Sequence, residues 1–190
     1  MFFSDEYFKT IELYKKLHSS GTTKLSPQNT FAGYSLVEWI PEIYSIIKIN
    51  KANSIIDFGC GKALAYKGKI QSGQKTYSGL KEFWAVENIT LYDPGVTEFN
   101  NYPKKKSDGV ICTDVLEHIP TNDIFHFIDG LYSLSKKFIF LVVATIPASK
   151  LFEDGRNIHL TLKNSDEWNI IFEQFKNKYP KIQTVLRFNE

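Results

Sequence analysis

The chain is poor in cysteine, methionine and net charge. Cys60 and Cys112 are the only two cysteines in 190 residues, with no Cys-x-x-Cys pair, so neither a disulfide framework nor a thiolate metal cluster fits. The four histidines, His18, His118, His126 and His159, are too scattered for a zinc motif, and no metal is expected. Twenty-three basic residues against 21 acidic ones leave a net charge of +2, too small a field to draw in nucleic acid or a membrane surface. The one dense basic run, residues 104–106, reads as a solvated loop. No apolar run approaches membrane-spanning length. The opening "MFFSDEYF" turns acidic at once, unlike a secretory leader. A reduced, cytoplasmic protein is expected.

What is present is aromatic: 15 Phe and 10 Tyr against a single Met predict a stiff core. The chain is long enough for one such core. Spacing predicts a helix over 4–18 capped by Ser4, with Tyr7, Ile11, Tyr14 and His18 on one face. Residues 19–30 read as a polar loop. Ser35 and Glu38 have capping-box spacing, and Leu36, Ile40, Ile43 and Ile47 follow at helical intervals, with Pro41 as a kink or restart. "SIIDFG" is a short buried strand. Residues 62–88 show no clear period, although "ALAYKGKI" is a helix candidate. "NITLYDPG" and "DGVICTDV" read as strands, 121–134 as a capped helix, and "KFIFLVVAT" as a central strand covered on both sides. A helix over 165–178 and a last strand, "IQTVLRF", complete the pattern. The alternation predicts an α/β fold, a mostly parallel sheet of five or six strands with helices on both faces. Residues 1–50 precede the sheet and are expected to form a helical cap or lid, "SPQNTFAGYS" its working part; residues 51–190 form the ligand-binding domain.

"DFGCG" places Gly59 and Gly61 directly behind the first sheet strand, where open parallel sheets bind ligands. A phosphate loop needs Gly-x-x-x-x-Gly-Lys-Ser/Thr, and the nearest stretch has Ala63 and Ile70 at the wrong places. A dinucleotide fingerprint lacks its third glycine, and Asp57 would repel a pyrophosphate. An acid there suits a ligand with a cationic end and no phosphate, such as S-adenosylmethionine. Asp93, ending "NITLYDPG", is placed to accept from both ribose hydroxyls of that ligand. If it serves only the ligand, its removal spares the fold. Asp-Pro-Gly also reads as an ordinary turn.

"SIIDFGCGKA", "ITLYDPG" and "DGVICTDVLEHIP", in that order, resemble the class I S-adenosylmethionine-dependent methyltransferases over residues 50–145. The resemblance implies a single-domain, Rossmann-like fold with a trimmed sheet, and S-adenosylmethionine as the cofactor, leaving as S-adenosylhomocysteine. It places Asp57, Gly59, Cys60 and Gly61 at the methionine end, Asp93 at the ribose, and Asp114, Val115 and Leu116 beneath the cofactor. The stretch between Asp93 and Asp108 is short for the family's third strand and helix.

The implied activity is in-line methyl transfer to a small molecule or an exposed group of a larger partner. A methyltransferase-like protein that only binds is the alternative. His118 and His159 are the candidate bases, with Glu117 and Asp114 behind them. Asp154, Arg156, Asn157 and His159 cluster after the central strand, and Arg156, Asn157 and His159 are the candidate acceptor contacts. The Asn/Asp-Pro-Pro-Tyr/Phe motif of amino-methylating DNA enzymes is absent, which argues against DNA as the acceptor.

Overall fold

A computed structural model describes residues 3–22 and 25–189. The expected 19–30 loop includes residues 23 and 24, which lie outside the described residues. Helix α1, Asp5–Ser20, begins where Ser4 accepts the Tyr7 amide at 3.2 Å. Its N-terminus is fastened to the body by Asp123, which accepts from the Ser4 amide and hydroxyl. The expected capping box at Ser35 and Glu38 does not form. Val37–Trp39 is instead a 3₁₀ turn, and α2 runs Ile40–Ile49 with Pro41 in its first turn. The Ser35 hydroxyl bonds the Thr113 side chain at 2.9 Å instead, tying the N-terminal segment to the sheet.

Strand β1 is Ser54–Phe58. The stretch with no period resolves into a 3₁₀ turn, Leu64–Tyr66, a two-stranded hairpin of β2, Ile70–Ser72, and β3, Lys75–Tyr77, and a short helix α3, Leu80–Trp84. The helix expected over "ALAYKGKI" is thus one turn; Gly68 and the hairpin end it. Then come β4, Asn88–Tyr92; β5, Ser107–Thr113; α4, Ile124–Leu134; β6, Ser135–Ala144; α5, Ser165–Lys178, with an Asn164–Glu167 capping box; and β7, Gln183–Asn189.

All pairings in the main sheet are parallel, in the order β4-β1-β5-β6-β7. Counted along these five strands the order is 2-1-3-4-5, so direction reverses between β1 and β5 and the cleft opens there. The sheet is trimmed to five strands, within the five or six expected, and its order is not the classic Rossmann one. Residues 93–106 hold only a 3₁₀ turn, Thr97–Phe99, and a further strand beyond β4 with its own crossover needs a longer connection.

Strand alternation fills both faces. Ile139, Leu141 and Val143 of β6 pack with α4, α5 and Tyr7 of α1, while Phe138, Phe140 and Val142 pack with α2 and α3. Such two-sided burial gives the continuous apolar run seen in the sequence. Among the described residues, no helix is long and apolar enough to cross a membrane.

Candidate functional site

A cavity of about 500 Å³ lies over the carboxyl ends of the strands, at the point of reversal. Its size is that of small-molecule sites. One wall is the loop after β1. The Tyr92 carbonyl accepts from the Gly59 and Cys60 amides at 2.7 and 3.1 Å, and Asp93 Oδ2 accepts from the Gly61 amide at 2.9 Å. Asp93 Oδ1 accepts from Gly95 at 2.8 Å, so this carboxylate also builds the loop. A Cβ on Gly59 would stand 2.3 Å from Val115 Cγ2 across the cleft, which only a glycine avoids. Asp114 closes β5 with a left-handed φ of 54°, a conformation costly for aspartate and frequent at ligand sites. Asn189 Nδ2, at the end of β7, donates to its Oδ1 at 2.7 Å.

The cavity lies over an acidic floor. Burial pushes Asp57 up to about 7, helped by the charge on Asp93 and opposed by the hydrogen bond from Tyr66. Burial likewise raises Asp93, lifts Asp114 to about 6, and lifts Glu117, with help from Asp114, to about 8. Among the described residues, no lysine or arginine forms an ion pair with any of the four. Lys62 and Lys150 lie near enough to lower Asp93 and Asp114 in part, but neither pairs with them.

The pH dependence of stability follows for Asp57. Its folded pKa of about 7 exceeds the unfolded value of about 3.9, so the folded state holds the proton more tightly. The stability this confers is whole below about pH 4 and is lost as pH rises through 7. Asp57→Asn keeps an acceptor for Tyr66 and does not titrate. Its melting temperature relative to the parent is therefore expected to climb between pH 5 and 8. A pH-independent difference, followed by thermal denaturation, would show that Asp57 titrates normally.

The N-terminal segment forms the opposite wall. The Phe31 and Ala32 carbonyls accept from the Lys62 and Leu64 amides at 2.9 and 3.0 Å, and residues 31–35 line the cavity. From α1, buried His18 stands with Nε2 3.7 Å from Asp93 Oδ1. Lys62 Nζ donates to its Nδ1 at 3.3 Å, so the imidazole proton sits on Nε2 and faces the carboxylate. Burial and Lys62 push His18 down to about 4. It is a neutral plug over Asp93.

At the far end of the cavity, His118 and His159 face each other with ring centroids 4.8 Å apart, although far apart in sequence. Burial and His159 push His118 down to about 3, and burial also lowers His159. Both are neutral at pH 7. The Ile158 carbonyl, which can only accept, lies 2.7 Å from the Tyr14 hydroxyl and 3.1 Å from His118 Nδ1. The His118 proton thus sits on Nδ1, and its 2.7 Å contact with Tyr14 is donated by the histidine. The Ile146 carbonyl, 2.7 Å from His159 Nδ1, can only accept. Both rings therefore keep their Nε2 lone pairs.

Of the residues singled out in the sequence, Gly59, Gly61, Asp93, Asp114, Val115, Glu117, His118 and His159 line the cavity. Asp57, Cys60 and Leu116 stand behind the wall, each buried. Arg156 is exposed and pairs with Asp154 at 2.8 Å and with Glu6 at 3.7 Å. Asn157 bonds the Ala148 backbone both ways, at 3.1 and 2.8 Å, bracing the loop that presents His159. Tyr14, His18 and Lys150 also line the cavity. Their helix or loop gave no sign of it, because only the fold brings α1 across the strand ends.

Comparison of the chain with family models, with curated proteins and with solved structures gave no significant match in any of the three.

Proposed function

We propose that the chain is an S-adenosylmethionine-dependent methyltransferase acting on a small molecule or an exposed group of a larger partner. The observation that carries this reading is the cavity at the strand reversal, whose acidic floor has no lysine or arginine paired to it. A cationic ligand without phosphate relieves that floor, whereas a dinucleotide's pyrophosphate would be repelled by it. Glycine at 59 lets Val115 pack directly on the loop after β1, which fixes the two walls against each other. Asp93 has one lone pair left on each oxygen after its two backbone bonds, enough for a ribose diol.

When bound, S-adenosylmethionine supplies a methyl group on a positively charged sulfur. The chain's own contribution is alignment and exclusion of water, and positioning of this kind supplies roughly 7–11 kcal/mol. Gly61 would border the methionine end of the ligand and Asp93 would hold its ribose, while Asp57 and Asp114 would offset its charge. Phe31, packed between Tyr14, His18 and His118, shuts out solvent on the side of α1. His118, with its pKa near 3, is too weak a base to hold a proton at pH 7 and serves as an acceptor that orients the substrate. His159, half-buried at the rim, is the better group to take a proton when the acceptor must lose one.

A second reading, a methyltransferase-like fold that no longer uses the cofactor, is favoured by one observation: His18 stands over Asp93, where a ribose would dock. Hydrogen exchange with and without S-adenosylhomocysteine separates the two. The enzyme reading expects residues 26–36 and 59–63 to gain protection as His18 yields to the ligand. Exchange unchanged in both segments at saturating ligand would favour the second reading.

A further inference from the structure

The two imidazoles at the far end of the cavity share it with a third group. Glu117 is completely buried in the 3₁₀ turn Leu116–His118 that follows β5, and its Oε1 accepts from the Ala144 amide at 3.2 Å. Its Oε2 has no hydrogen-bond partner, although Glu117 lines the cavity. An unpartnered carboxylate oxygen in such a place costs several kcal/mol unless something meets it. One ligand atom each from Glu117, His118 and His159 lies within 4.8 Å of the others.

We propose that Glu117, His118 and His159 form a binding site for a divalent transition-metal cation of the zinc class. Two imidazoles and one carboxylate are a ligand set that suits zinc, cobalt or iron, whereas magnesium and calcium prefer all-oxygen shells. Each histidine gives its Nδ1 proton away, His118 to Tyr14 and His159 to the Ile146 carbonyl. This is the outer bonding that orients metal-binding histidines and leaves Nε2 as the ligand atom. Ligand atoms around a tetrahedral zinc stand about 3.3 Å apart, from bond lengths of about 2.0–2.1 Å. The set closes to that separation by a swing of His159, its most exposed member. The remaining coordination positions open into the cavity, where they would take oxygen atoms of an acceptor. The site does not depend on the methyltransferase reading, but it replaces the roles given there to the free imidazoles, since an Nε2 bound to a metal cannot take a proton.

The test uses the tag-free full chain, stripped by a chelator and titrated with Zn²⁺ by calorimetry and with Co²⁺ by visible absorption. One cation per chain is expected, with the d–d bands of a low-coordinate nitrogen and oxygen site. His159→Ala, a change at a half-buried position, is expected to weaken Zn²⁺ binding by at least about tenfold, the scale on which even the outer partners of metal ligands act. Glu117→Gln should do the same, while His126→Ala, which alters a ring packed on Phe3, leaves binding unchanged. No saturable binding by the parent chain, or equal affinity in parent and His159→Ala, overturns the proposal.

Discussion

Gly33→Ala is expected to strip the N-terminal segment from the glycine loop and to lower both stability and ligand affinity. Gly33 has a φ of +83°, and a Cβ there would stand 2.4 Å from the Cys60 carbonyl oxygen and 2.8 Å from the Ala63 amide nitrogen. Both are backbone atoms of the loop that walls the cavity, so neither can rotate away. The left-handed φ costs about 1–2 kcal/mol for a residue with a Cβ, and overpacking of this kind a further 1–3 kcal/mol or so. For a chain of this length that is roughly a 5–15 °C fall in melting temperature. Gly73→Ala is the control: its φ is +59°, yet nothing lies within 4 Å. It carries the strain without the clash. Equal losses in the two variants would mean that residues 31–35 do not pack tightly on the loop.

Asp93→Ala carries the other large effect. Read from the sequence alone, Asp93 serves the ligand, and its removal spares the fold. In the structure both its oxygens accept backbone amides, from Gly61 and Gly95, and it is 9% exposed. Alanine leaves the buried Gly61 N–H unsatisfied, at about 1–3 kcal/mol, and frees the half-buried Gly95 N–H as well. A clear drop in melting temperature is therefore expected, followed by differential scanning calorimetry. Affinity for S-adenosylhomocysteine should fall by roughly tenfold to a hundredfold, since a hydrogen bond to a charged group is worth about 1.5–3 kcal/mol. Asp93→Asn separates the two effects. It keeps one acceptor for the loop, so it should recover part of the stability while remaining weak toward the ligand. Affinity like the parent's in Asp93→Asn would take this carboxylate out of the site.

Much of this architecture is legible before folding. The run 137–145 reads as a strand buried on both sides because Phe138 to Val143 alternate between two filled faces. Helix α5 covers the residues that spacing predicts, 165–178, and the structure adds the Asn164 cap. The glycines and Asp93 are visible because a tight turn after a strand has few chemical solutions. Ser35 misleads, since a hydroxyl three residues before a glutamate has two possible partners, the helix amides or a distant strand, and Thr113 wins. The hairpin of β2 and β3 is hidden because strands of three residues leave no period to detect. His118 and His159 look unrelated in sequence, as partners brought together by two loops always do. A cap from residues 1–50 is expected from the sequence, but nothing in residues 5–20 says which side chains of the helix will line the cavity.

On the proposed reading, the cavity at the strand reversal takes S-adenosylmethionine on its acidic floor. Calorimetric titration of the full chain with S-adenosylmethionine and S-adenosylhomocysteine tests it most directly, at pH 8, where Asp57 and Asp114, with folded pKa values of about 7 and 6, are largely ionised. One saturable site per chain is expected for both. Because a cation favours the ionised acids, affinity for S-adenosylmethionine should weaken as pH falls from 8 to 6, with protons released on binding at the lower pH. Absence of saturable heat for both ligands at millimolar concentration would contradict the account.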